Sequence, residues 1–187
     1  MDMLEDRFNL LRITVEAMSE PRAVLMIGGG CERDGADVVA LGLARAFAGT
    51  GARVGLISAE VAHRSDRAEI AAVPLMLVQG LSSVRLSEKF AKLRAEFDVV
   101  LFAIPALFER SFEAELARRC DGVVLTIELG RRIAARDKEI AATLERLAVR
   151  CFGVVTTKPD LRRRSSTVAA ESGRRSALVR KPSTQRV

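Results

Sequence analysis

Gly30 and Gly35 stand five residues apart, between the apolar run Ala23–Ile27 and an Ala/Leu-rich stretch that begins at Ala36. Such a pair, placed between a strand and a helix, lets a chain wrap backbone N–H groups around a phosphate; the full pattern G-x-x-x-x-G-K-[ST] adds a lysine for the terminal phosphates and a hydroxyl for magnesium. Here the loop reads GCERDGAD, so Ala36 takes the lysine position and Asp37 the hydroxyl position. Losing the cation removes a charge-assisted contact, and an aspartate beside a phosphate repels it by on the order of 4 kcal/mol at ~4 Å and an effective dielectric of ~20. Asp37 suits the positive end of its own helix, an effect of roughly 0.3–1 kcal/mol, and is expected to fill the space of the phosphate. Glu32 and Asp34 deepen the negative potential, with Arg33 partly offsetting it. Taken alone, the loop also reads as an ordinary glycine turn with an acidic helix start.

The elements that must position this loop follow from apolar periodicity. Leu4, Phe8, Leu11 and Val15 recur at helical spacing, predicting a helix over 3–18. Next come a strand at 23–27, the glycine loop, a helix over 36–48 and a strand at 52–58. Further strands are expected at 73–78, 98–104, 122–127 and 151–155, and further helices at 84–96, near 109–119 and at 131–148. Short apolar strands alternating with helices indicate an α/β fold, a doubly wound, mostly parallel sheet flanked by helices. DVVLFAI, apolar throughout, reads as a strand buried on both faces.

Charge is unevenly placed along the chain. The 187 residues carry 30 Lys+Arg against 24 Asp+Glu, a net charge of +6, yet residues 161–187 alone hold eight bases and one acid. Residues 1–160 are therefore close to neutral, with 22 bases and 23 acids. This divides the chain into a domain over 1–157 and a basic tail over 158–187, rich in Arg, Ser, Thr and Pro, that reads as disordered. Readings for the tail are nonspecific basicity, contact with anionic lipid at ~1 kcal/mol per basic residue, or nucleic-acid binding, the least favoured of the three. Phosphorylation of Ser165 or Ser166 would weaken the lipid contact.

Composition excludes several chemistries. Tyr and Trp are absent, which removes the phenol as nucleophile or phospho-acceptor and leaves eight Phe as the aromatic surface. His63 is the only histidine, and Cys31, Cys120 and Cys151 lack the spacing of metal ligands, so no metal site is expected. His63 reads as a loop residue and Cys31 as inert. The longest uncharged run, Ile70–Val84, is interrupted by Pro74, Gln79 and Gly80 and is too short for a bilayer. Without a secretory-type start, the expected location is cytoplasmic.

Three further segments match a family pattern. Asp6-Arg7-Phe8-Asn9-Leu10-Leu11-Arg12 corresponds to E-A-F-R-x-L-R, with Phe8, Leu11 and Arg12 matching and Asp6 shortening the acid. Val54–Arg64 corresponds to V-L-L-I-D-A-D-L-R-R-P, with Ser58 and Glu60 at the two aspartates. Asp98–Ala106 corresponds to D-V-V-L-I-D-T-P-P, with Ala103 at the aspartate. On these motifs and the glycine loop, residues 5–157 resemble the cytoplasmic kinase domain of bacterial tyrosine kinases that act in capsule and exopolysaccharide synthesis. That family lies within the deviant P-loop ATPases, alongside chromosome-partitioning and septum-site proteins.

The resemblance implies a P-loop NTPase-like fold, a self-association helix carrying Asp6, Phe8, Leu11 and Arg12 (hence a homo-oligomer), and an inner-membrane polysaccharide chain-length regulator as partner. It also implies that Ser58, Glu60 and Ala103 stand where the family's acidic residues work near magnesium. A neutral hydroxyl and a methyl make poor magnesium ligands. Positioned metal and charge supply nearly all phosphoryl-transfer catalysis, so the expectation is a catalytically inactive regulatory or scaffolding protein of polysaccharide synthesis or export, without a cofactor and peripheral to the inner membrane face. Two alternatives stand beside it. One is a divergent ATPase or kinase of the same pathway that uses ATP and magnesium with residues from a neighbouring subunit; the other is a partitioning-type relative with a DNA-binding tail.

Overall fold

The computed structural model describes residues 3–58, 70–75, 82–130, 132–133 and 135–158. Six strands, β1 (Ala23–Gly29), β2 (Val54–Ser58), β3 (Ile70–Pro74), β4 (Val99–Ala106), β5 (Gly122–Glu128) and β6 (Cys151–Thr157), form one sheet in the order β3-β2-β4-β1-β5-β6. All neighbouring pairs are parallel. The helices are α1 (Met3–Met18), α2 (Ala36–Ala48), α3 (Ser83–Glu96), α4 (Ser111–Ala117) and α5 (Ala135–Arg146).

Alternation along each strand sorts the core into two layers. Leu25, Ile27, Leu101, Ala103 and Val124 face one way and pack with Val15 of α1 and Ala36, Val39, Ala40 and Leu43 of α2. Val24, Met26, Val100, Phe102 and Val123 face the other way, against Leu86, Phe90 and Leu93 of α3, Leu116 of α4, and Ile140 and Leu144 of α5. Both faces of β1 and β4 are thus covered, which is why these strands carry almost unbroken apolar runs. In the second layer the Phe90 and Phe102 rings stack at 5.6 Å.

Most expected elements are present, with shifted ends. The glycines Gly28 and Gly29 extend β1, and β6 runs two residues past its expected end. The expected strand at 73–78 is corrected: β3 is Ile70–Pro74, paired from Val54↔Ile70 to Ser58↔Pro74, and residues 76–78 lie outside the described residues. The apolar run IAAVPLMLV is continuous, so hydrophobicity could not fix its ends, whereas pairing with β2 does. The tail from residue 159, and with it the readings for Ser165 and Ser166, also lies outside the described residues, as do Glu60 and His63.

Candidate functional site

The strand order reverses on either side of β1, and in such sheets the crevice at the carboxyl ends of the strands is where ligands bind. Three of the expected site segments converge there. The glycine loop leaves β1; Ala103 pairs with Ile27 on β4; and the Ile57↔Phe102 pairing, continued by one residue, sets Ser58 beside Ala103 on β2. Ser58 and Ala103 are both buried, and Ala103 lies in the same core layer as Ala36 at the start of α2.

The loop is not an open cradle. Residues Glu32–Asp34 form a single 3₁₀ turn, in which the Asp34 N–H donates to the Cys31 carbonyl at 3.0 Å. The Asp34 side chain turns inward and is fully buried. Its Oδ2 accepts the N–H of Gly30 at 2.8 Å and of Cys31 at 3.1 Å, while Oδ1 accepts the N–H of Glu128 on β5 at 3.0 Å. The Thr157 hydroxyl of β6 donates to the Asp34 carbonyl at 3.2 Å. An internal anion therefore takes up loop donors of the kind that hold a phosphate.

Local sequence explains how Asp34 fits. Directly beneath it, Gly29 has no Cβ; an added one would lie 2.5 Å from the Asp34 Cβ and 2.5 Å from the Thr126 carbonyl oxygen. After it, Gly35 adopts φ 72°, ψ 35°, the left-handed conformation that turns the chain from the 3₁₀ turn into α2 at little cost for glycine. The carboxylate filling the loop thus belongs to Asp34, not to Asp37 as expected; Asp37 lies in the first turn of α2, where its charge favours the helix start. The hydroxyl position of the phosphate-loop pattern singles out Asp37, with Glu32 and Asp34 only deepening the negative potential. The loop residues alone do not separate Asp34 from its neighbours, because its place depends on the Glu128 N–H arriving from β5.

Around the loop, Leu107 donates its N–H to the Gly29 carbonyl at 2.9 Å, and the Arg136 guanidinium of α5 donates to the Leu107 carbonyl at 2.6 Å. A cleft of about 240 Å³ lies beside Gly29 and Gly30, lined mainly by Leu125, Ile127, Ile133 and Ile140, with Asp137 and Lys138 at its polar side. Under the same strand ends the Thr126 hydroxyl is buried without a hydrogen-bond partner. Among the described residues, no three His, Cys, Asp or Glu side chains group closely enough to hold a metal ion.

These groups do not fit magnesium nucleotide. Ala36 offers no cation, Ala103 no oxygen, and Asp34 places negative charge within the loop itself. In α1, Phe8 and Leu11 pack inward on the core, with Phe8 seated against Gly42, where an added Cβ would strike the ring. Asp6 is exposed, and Arg12 pairs with Glu16 at 2.6 Å. Leu4, by contrast with its expected place on the inner face, is 57% exposed, as are Leu10 at 65% and Ile13 at 52%.

No protein-family model and no curated protein matches the chain. Solved structures do match it. The chimerical protein CapA2B2 is 12% identical, with a TM-score of 0.68 over 81% of this chain and 83% of that one. The VpsO kinase domain is 16% identical, with a TM-score of 0.67 over 83% of this chain and 96% of that one. The kinase domain of the Escherichia coli tyrosine kinase ETK is 16% identical, with a TM-score of 0.63 over 83% of this chain and 75% of that one. At such identities the likeness is one of fold, and the chain is built on the P-loop NTPase fold in the arrangement shared with bacterial tyrosine kinase domains.

Proposed function

We propose that this protein is a catalytically inactive, kinase-like regulatory or scaffolding subunit in exopolysaccharide or capsular polysaccharide synthesis or export. The observation that carries the inactivity is the Asp34 carboxylate, which accepts N–H groups of Gly30, Cys31 and Glu128 inside the loop. The assignment to polysaccharide assembly rests on the resemblance of the sequence motifs, and the likeness in fold to tyrosine kinase domains supports it. In this reading no nucleotide or metal is used, and the partner is an inner-membrane chain-length regulator. The protein works on the cytoplasmic side, with the basic tail contacting anionic lipid.

Calorimetric titration of the full chain with ATP and magnesium tests the inactivity. The expected result is no measurable heat of binding up to millimolar nucleotide. Micromolar binding would overturn the reading. The variant Asp34→Ala with Ala36→Lys, Asp37→Ser and Ala103→Asp restores donors, cation, hydroxyl and carboxylate together, and is expected to bind where the parent does not. Co-purification with a chain-length regulator of the same organism tests the scaffolding role, which fails if none is retained.

A further inference from the structure

Beside Gly29 and Gly30, the space between β5 and the start of α5 is not filled, which leaves the cleft of about 240 Å³. Alternation along β5 turns Val123, Leu125 and Ile127 toward the layer of α5. Val123 is buried there, but Leu125 and Ile127, nearer the carboxyl end, are only half-buried. On the opposite wall Ile140 of α5 is buried, Ala141 contributes only a methyl, and Ile133 is 68% exposed. The lining is almost wholly apolar, so water inside it gives up hydrogen bonds; apolar cavities of about 150 Å³ stay dry and take small apolar ligands. The cleft is smaller than the roughly 300–1,000 Å³ of sites for drug-sized ligands, which suits a short chain of carbons.

Charge at the rim decides the polar end of the ligand. Asp137 already has an interaction of its own, and the flanking Arg136 and Glu139 pair at 2.8 Å. Lys138, exposed at the cleft, makes no hydrogen bond or ion pair among the described residues. The charge without a partner at this rim is therefore a cation. Its complement is an anion at the end of an apolar chain.

We propose that this cleft is a site for a free medium-chain acyl anion, whose hydrocarbon chain lies between β5 and α5 and whose carboxylate pairs with Lys138. The chain removes Leu125, Ile127 and Ile133 from water, which is the main source of affinity. The ion pair, exposed to solvent, supplies the preference for an anion. This inference stands whether or not the loop binds nucleotide.

The test uses the full chain with methyl-labelled Leu and Ile, titrated by NMR with hexanoate, octanoate and octylamine. Saturable shifts are expected at the methyls of Leu125, Ile127, Ile133 and Ile140. Each methylene buried is worth about fourfold in affinity, so octanoate is expected to bind about tenfold tighter than hexanoate. It is also expected to bind about threefold tighter than octylamine, the scale of an exposed ion pair. Lys138→Glu changes only an exposed, unpaired side chain and is expected to reverse that preference. Ala141→Phe sets a ring in the cleft from an exposed helix position and is expected to abolish binding while the circular dichroism spectrum is kept. The proposal is overturned by no saturable binding of octanoate, by equal affinity for hexanoate and octanoate, or by equal affinity for octanoate and octylamine. It is also overturned by an unchanged preference in Lys138→Glu, by shifts that lie away from the cleft, or by octanoate binding that Ala141→Phe leaves intact.

Discussion

Two loops at the carboxyl edge of the sheet are each closed by a buried carboxylate that accepts backbone N–H groups: Asp34 after β1 and Glu113 after β4. Their reach differs. Glu113, in the first turn of α4, accepts the N–H of Glu109 at 3.0 Å and of Arg110 at 3.5 Å, and pairs with the Arg110 guanidinium at 3.5 Å. All these partners, and the Phe108 backbone as well, lie within five residues, so it caps a helix. Asp34 joins Gly30 and Cys31 of its own loop to Glu128 on another strand, 94 residues away. One carboxylate shapes a helix start; the other staples the phosphate-loop position to β5. Similar chemistry thus has a local consequence in one loop and a tertiary one in the other.

The largest expected effect comes from removing the longer-range acid. Asp34→Ala leaves three backbone N–H groups without their acceptor, and each buried donor left unsatisfied costs about 1–3 kcal/mol. Water can reach the half-buried Gly30 and Cys31, whereas the N–H of buried Glu128 has no such relief. Denaturant unfolding is expected to show a loss of about 3 kcal/mol, with Asp34→Asn losing less because its amide oxygen still accepts. A loss no larger than that of Glu113→Ala, about 1 kcal/mol for a helix cap, would mean that the two carboxylates play equivalent local roles.

Gly29→Ala attacks the same staple from beneath. The new methyl would meet the Thr126 carbonyl and the Asp34 Cβ, both at 2.5 Å, and neither is the free end of a flexible chain. Overpacking of this kind costs about 1–3 kcal/mol. Hydrogen exchange at the Glu128 amide should quicken in this variant, because the Asp34 carboxylate must withdraw to admit the methyl. Unchanged exchange there would separate the tight packing from the hydrogen bond.

What could be read from the sequence divides along similar lines. α2 was bounded correctly because its Ala/Leu-rich run starts directly after the glycine loop and Thr50-Gly51 closes it, signals contained in a few adjacent residues. The glycine spacing after the first strand was legible as well, whereas the strand order that makes the carboxyl end of β1 a switch point came from the sheet. Which of Glu32, Asp34 and Asp37 turns inward was not legible, because the choice depends on the N–H of Glu128 arriving from β5 and on the space above Gly29. β3 was misplaced for a related reason: its ends are set by register with β2, not by its own apolar run. Local signals carried the helices, and the non-local pairings had to come from the fold.

The smallest expected effect concerns pH and isolates the local carboxylate. Burial pushes the Glu113 carboxyl above its ordinary range, against the lowering influence of the Arg110 and Glu109 N–H groups, the Arg110 charge and the Phe108 N–H. The folded chain therefore takes up this proton more readily than the unfolded chain does. Its contribution to stability is full below the unfolded value near 4.5 and is lost as pH rises through the folded value. Asp98 acts in the opposite sense: its hydrogen bond with Arg53 lowers its pKa, so its contribution is present above the unfolded value near 3.8 and is lost as pH falls through the folded one. Glu113→Gln fixes the neutral form and keeps an acceptor. Relative to the parent, its stability is expected to be nearly equal at pH 4 and higher at pH 7, by a few tenths of a kcal/mol up to about 1. Denaturation midpoints of both proteins between pH 4 and 7 check this, and a difference that is constant across the range would show that Glu113 acts through its hydrogen bonds alone.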